Sequence, residues 1–268
     1  MECITKTNNV MKKIIILIYG ILAYIIFLIA FLYAIGFVNN LWVPKSIDSG
    51  VEIDTMNALL INIGVLSVFA FQHSIMARPA FKKWWFKIIG KAAERSTYIL
   101  LSSLALILIY WQWQPMTAVV WSVDNVILAT IVQVVFFIGW LIVLLSTFMI
   151  SHFELFGLTQ IVDNLKNKVT KEPSFRVNYF YGLVRHPIML GFIIAFWATP
   201  IMTAGHLLFA LITTSYILVA VKFLEEKDLK KALGKTYEEY QKKVPMIIPF
   251  TKFSNNNTIE SKGVQSGL

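Results

Sequence analysis

Long uncharged stretches dominate this chain. Between Lys13 and Lys45 no Asp, Glu, Lys or Arg occurs, and the same holds from Asp54 to Arg78, Arg95 to Asp124, Asp124 to Glu154 and Arg185 to Lys222. A helix needs about 20 apolar residues to cross roughly 30 Å of hydrocarbon, so each stretch predicts a crossing. The last one holds Pro187, Pro200 and Gly205, residues that start or stop helices. It therefore reads as two short helices, Pro187 to Met202 and His206 to Val221. The expectation is an all-α, polytopic membrane bundle of five to six transmembrane helices. The first stretch runs from Ile14 to Val38 without a small-residue cleavage site, too long for a removable signal.

Composition agrees, because 57% hydrophobic and 15% charged residues leave too little polar surface to coat a soluble globule. The cations set the orientation. Six crossings put every Lys and Arg except Lys45 on one side, and short cytoplasmic loops carry the excess of such residues. Both termini are thus expected to be cytoplasmic. The net charge of +9 adds attraction to anionic headgroups, so the lipid bilayer is the expected partner. Nucleic acid is not, since the cations are spread over juxtamembrane loops with no nucleic-acid module among them. Cys3 is the one cysteine, which excludes an intrachain disulfide.

Between the crossings, Arg78 to Arg95 mixes Phe81, Trp84, Trp85 and Phe86 with Lys82, Lys83 and Lys87, the make-up of an amphipathic stretch lying among headgroups. Trp111, Trp113 and Trp121 read as an aromatic belt at the opposite interface. The longest loop, His152 to Arg185, is apolar at both ends and is expected to fold back onto the bundle. The chain reads as a single domain over residues 1–250, with a disordered polar tail over 251–268.

Chemistry-bearing side chains gather at the cation-rich side. His73, His152 and His186 all fall there, with Gln72, Arg95, Glu154, Arg185, Glu225 and Glu226, while His206 faces away. Titratable groups of both signs where helices leave lipid are costly unless paired, which makes them a candidate site. Pro187 suits the first position of a helix, and the free amides after it, beside Arg185 and His186, would favour a carboxylate. Gly191, one turn on, would let a ligand or a neighbouring helix approach. By spacing alone Glu225 and Glu226 read as a solvated face, since Lys222 and Lys230 each lie four residues from Glu226. No metal is expected, because no two histidines lie closer than the 20 residues between His186 and His206. No GxG pair marks a Rossmann nucleotide site.

The run RHPIMLG (Arg185 to Gly191), then EEKDL (Glu225 to Leu229), Gly234, Tyr237, Tyr240 and Val244-Pro245, resembles the C-terminal cofactor region of the isoprenylcysteine carboxyl methyltransferase superfamily. More narrowly, SHFELFGL (Ser151 to Leu158), FQHSIMARP (Phe71 to Pro79), ERSTY (Glu94 to Tyr98) and FWATPIMTAGHLLFA (Phe196 to Ala210) resemble the bacterial methanethiol S-methyltransferases of the nurim group. The resemblance implies a cytoplasmic-membrane enzyme that takes a methyl group from S-adenosylmethionine to a small thiol, methanethiol, releasing dimethyl sulfide. It implies a cofactor region over about residues 151–249, with Arg185, His186, Gly191, Glu225, Glu226 and Tyr237 or Tyr240 as cofactor contacts. Many superfamily members carry a tyrosine where this chain has Met189, so Met189 is left out of the polar contacts. Thiol deprotonation calls for a base, and His152 or His73, with Glu154 nearby, are the candidates. Two rival readings share these motifs: a related methyltransferase for another thiol or a prenylcysteine carboxylate, and a non-enzymatic membrane protein like nurim.

Overall fold

A computed structural model describes residues 2–169 and 177–251, with residues 2–8 described by backbone alone. The expected polar tail, from residue 252 on, lies outside the described residues. Four long helices come first: α1 (Glu2–Asn39), α2 (Thr55–Ala77), the shorter α3 (Pro79–Ile89), and α4 (Lys91–Gln112). A strand, β1 (Val119–Ser122), precedes α5 (Val126–Ile150), and three short helices follow, α6 (His152–Leu155), α7 (Leu158–Leu165) and α8 (Phe180–Leu183). The remainder is α9 (Pro187–Trp197), β2 (Ile201–Thr203), α10 (Ala204–Ala220), a π-turn (Val221–Glu225), α11 (Glu226–Leu233) and α12 (Lys235–Lys243).

Five of these helices are long and apolar enough to cross a membrane, and α9 is a shorter apolar helix. Their outer faces carry Ile15, Ile18, Ile29 and Leu32 on α1 and Val126, Ile127, Leu128 and Leu141 on α5, all exposed. Such a coat has no place in water; it faces lipid, and the chain is an integral membrane protein of helical type. Asp54 and Asn125 cap α2 and α5 with side-chain bonds to the amides of Asn57 and Leu128, so polar caps mark where these helices enter the apolar layer.

The last apolar stretch breaks earlier than expected. α9 ends at Trp197, not Met202, because Pro200 lies just ahead and disfavours helix before it. Eleven residues rise only about 17 Å, and residues 198–200 lead by a bend into the next strand. That strand, β2, pairs antiparallel with β1. This two-stranded patch closes the end of the bundle opposite the cation-rich one.

The core is aromatic. Phe37, Trp113 and Phe209 meet at edge-on angles, and Trp140 contacts Phe31, Phe136, Phe192 and Phe196, geometries favoured by ring quadrupoles. Trp113 corrects the expected belt. It is fully buried and donates its indole N–H to the Ile47 carbonyl at 3.0 Å, whereas Trp111 is exposed. α5 and α9 touch backbone to backbone: a Cβ on Gly191 would lie 2.7 Å from the Gly139 carbonyl oxygen, and one on Gly139 would lie 2.8 Å from that of Gly191. Of the two uses foreseen for Gly191, helix contact is the one seen.

α3 is the amphipathic stretch anticipated between Arg78 and Arg95, with Trp84 and Ile88 exposed. The loop after α5 does fold back. Arg95 on α4 donates to the Leu155 carbonyl at 2.7 Å, and Ile161 of α7 is fully buried against Gly20 of α1.

Candidate functional site

At the cation-rich end, the segment entering α9, the start of α11 and the end of α12 converge on one carboxylate, Glu226. The main chain sets the frame, as Arg185 and His186 donate their amides to the carbonyls of Pro245 and Met246 at 2.9 and 3.1 Å. Every guanidinium nitrogen of Arg185 meets a protein oxygen. Nε donates to Glu226 Oε1 at 2.7 Å, Nη2 lies 2.5 Å from the same oxygen, and Nη1 donates to the carbonyls of Gln241 and Val244 at 3.2 and 2.5 Å. Gln241 Nε2 donates to Glu226 Oε2 at 2.9 Å. Arg185, His186 and Glu226 are all buried, and a buried charge is tolerated only with such complete pairing.

His186 bridges both glutamates, with Nε2 3.3 Å from Glu226 Oε1 and Nδ1 3.5 Å from Glu225 Oε1. Burial works to lower its pKa, but the hydrogen bonds and charges of Glu225 and Glu226 outweigh burial, and the value is pushed up to about 9. At neutral pH two cations therefore face two anions. Glu225 differs from its neighbour. Its side chain is 45% exposed against 11% for Glu226, which leaves a carboxylate open at the site.

The π-turn explains how adjacent glutamates take these two roles. Ala210, Ile217 and Val221 form the buried edge of α10. After an ordinary α-turn that edge would pass to residue 225, but the turn is π and the Glu226 amide bonds to the Val221 carbonyl. The extra residue rotates Glu226 onto the buried edge and turns Glu225 off it.

On α12, Tyr237, Tyr240, Gln241 and Val244 share one face, at the spacing of successive turns. Tyr240 donates its hydroxyl to the Tyr181 carbonyl at 2.5 Å. Burial raises the pKa of Tyr181, Tyr237 and Tyr240 above the ordinary tyrosine value, so all three are neutral hydroxyls.

The two candidate bases are separated. His73 stacks on Phe69 and hydrogen-bonds with the Tyr98 hydroxyl at 2.9 Å and with Ser102 Oγ at 3.2 Å. It lies within electrostatic reach of Glu225, as do Tyr98, Tyr181 and Tyr237. Glu225 thus sits in a polar region to which α2, α4, the turn before α9 and α12 each bring a side chain. His152 instead stacks on Phe148 at 4.3 Å and hydrogen-bonds with Tyr24 and Thr147, both at 2.8 Å. Burial lowers its pKa, and its two ring nitrogens tie α1 to the end of α5. Glu154 is half-buried, and its backbone carbonyl accepts from Gly157 and Gln160. It extends no bond to His152 among the described residues.

Gln241 was missed from sequence, although its place on the Tyr237–Tyr240–Val244 face was a signal. Tyr98 was noted only as the end of the ERSTY run and given no site role, since its bond to His73 joins α4 to α2 and spacing does not show it.

These features define a class: a polytopic helical membrane protein with a buried Arg-His-Glu cluster, charge-balanced by a second, half-exposed glutamate, at the cation-rich end of its bundle. A family model described as NnrU protein matches residues 61–247. The chain is 49% identical over 246 residues, 92% of its length and 86% of the relative's, to Methanethiol S-methyltransferase 1 of Bradyrhizobium diazoefficiens. It is 50% identical over 240 residues, 90% of its length and 98% of the relative's, to Methanethiol S-methyltransferase of Mycobacterium tuberculosis. Nurim of Bos taurus is 30% identical over 182 residues, 64% of this chain and 68% of that one. No solved structure matches. The chain belongs to the NnrU family and, within it, to the family of the methanethiol S-methyltransferases.

Proposed function

We propose that this protein transfers a methyl group from S-adenosylmethionine to methanethiol, giving dimethyl sulfide and S-adenosylhomocysteine, at the cytoplasmic face of a bacterial membrane. Identity near one half over nine tenths of the chain, to proteins named for that transfer, is the observation that carries the reading. We infer the face from the cations, since among the described residues the basic side chains other than Lys45 lie on helix ends and loops at the end that holds Glu225 and His186.

The open carboxylate fits the donor. Glu225 is half-exposed beside a buried, balanced cluster, and an ammonium or sulfonium would find an opposite charge there. Arg185 is fully engaged with Glu226, Gln241 and Val244 and acts on the donor through Glu226 and His186, not by holding its carboxylate. On this reading Arg185, Glu226 and Gln241 hold the frame, His186 orients Glu225, and Tyr237 and Tyr240 wall the pocket. When bound, S-adenosylmethionine supplies an electrophilic methyl on sulfonium, open to in-line displacement.

The acceptor is small and apolar enough to arrive through the bilayer, while a charged donor arrives from water. Of the two candidate bases, we assign the thiol proton to His73, since it is the one within electrostatic reach of Glu225. Both rings are hydrogen-bonded at both nitrogens, His73 to Tyr98 and Ser102 and His152 to Tyr24 and Thr147, so it is nearness to Glu225 that separates them.

Membranes carrying the protein, given methanethiol and S-adenosylmethionine, are expected to release dimethyl sulfide into the headspace. His186→Ala and Glu225→Ala are expected to lower that release at least tenfold. Full activity in both variants would remove the site, and no product from the unaltered protein would remove the function. A panel of thiols and a prenylcysteine acceptor in the same assay checks the choice of acceptor.

A further inference from the structure

α2 grips the glutamate-bearing helix on both sides of its π-turn. Ser74 Oγ hydrogen-bonds with the Tyr216 hydroxyl at 2.9 Å, before the turn, and Arg78 Nη1 donates to Asp228 Oδ2 at 2.9 Å, after it. Arg78 is itself fixed by a bond from Nε to the Ser74 carbonyl at 3.1 Å. Ser74 and Arg78 are one turn apart, so they present one face of α2.

Tyr216 and Asp228 would not share a face in a regular helix. Twelve residues at about 100° each leave them about 120° apart, and the extra residue of a π-turn takes back roughly 100°. The turn that swings Glu226 into the core therefore also brings Asp228 under Tyr216, facing α2. Glu225 is left between the two grips, on the side where His186 and His73 lie.

We propose that Arg78 and Asp228 are positioning residues for the donor site: their ion pair holds the π-turn in register, and so keeps the half-exposed Glu225 carboxylate beside His186. The inference rests on the methyltransferase reading above. Neither residue needs to touch donor or acceptor, as each acts through the helix that carries Glu225. The pair is half-buried, 28% and 29% exposed at its side chains, so its loss leaves no charge stranded in the apolar layer.

A double-mutant cycle on donor KM tests this, using membranes and a saturating level of methanethiol. Arg78→Ala and Asp228→Ala are each expected to raise KM for S-adenosylmethionine about tenfold, with the methanethiol KM within about twofold of the unaltered protein. Because the pair acts as a unit, the double variant is expected to match either single one, and Arg78→Lys to keep most of the affinity. A monodisperse peak in detergent checks folding, and Asp228→Asn replaces the alanine variant should that peak be lost. Unchanged donor KM in the single variants overturns the inference, as do losses that multiply to about a hundredfold in the double variant. An unaltered protein that makes no dimethyl sulfide brings down the functional reading itself, and this inference with it.

Discussion

Glu226 illustrates how position changes the meaning of a residue. Its spacing from Lys222 and Lys230 reads as a solvated helix face, yet it accepts from Arg185, His186 and Gln241 and is buried. Removing one partner of such a pair is costly, so Glu226→Gln is expected to destabilise the protein by about 3 kcal/mol, measured as a lowered thermal transition in detergent. Glu225→Gln is expected to change that transition little and to lower donor affinity. The split between the two variants tests the division of roles. His186 adds a pH signature. Its pKa of about 9 lies above the ordinary 6.5, so its protonation favours the folded site. That contribution is complete below about pH 6.5 and is lost as pH rises through about 9. The thermal transition is expected to fall across this window, and His186→Gln to flatten the fall. A transition that instead rose with pH would contradict the assignment.

Among the elements, some helix ends were legible because charges mark them: Asp54 and Arg78 cap the two ends of α2, and Asp124 stands just before the cap of α5, whereas Arg95 lies within α4 and Asp124 well past its end. The basic-aromatic mixture named α3 in the same way. The π-turn was not legible, since its register depends on which of two adjacent glutamates finds Arg185, a partner 41 residues away. The β1–β2 pair was equally hidden, because its three to four residues per strand carry too little alternation to read. Trp113 looked like a belt residue from its nearness to a span end, and only the fold shows that Phe37 and Phe209 enclose it. The α5–α9 contact makes its own prediction. Gly191→Leu would drive a side chain into the Gly139 carbonyl and Val143, an overpacking cost of about 1–3 kcal/mol, which the thermal transition of purified protein measures. If that variant were as stable as the unaltered protein, the close approach of the two helices would be wrong.

Across the whole molecule, polarity divides by end. One end carries the Arg78–Asp228 pair, the glutamates and nearly all the cations, and the other is sealed by β1, β2 and buried Trp113. This asymmetry suits a reaction with a water-borne donor and a membrane-permeant acceptor. The resemblance read from RHPIMLG and EEKDL pointed to residues that the fold brings together, Arg185 and His186 with Glu225 and Glu226; which hydrogen bonds join them depends on contacts about 40 residues apart in sequence, which spacing does not carry. The central claim is that the methyl group of the donor passes to methanethiol beside Glu225. Mass analysis of headspace product from membranes supplied with methanethiol and S-adenosylmethionine labelled with a trideuteromethyl group tests it most directly. The account predicts singly labelled dimethyl sulfide from the unaltered protein and at least tenfold less from Glu225→Gln at limiting donor. Unlabelled product, or equal labelled product from both proteins, would contradict it.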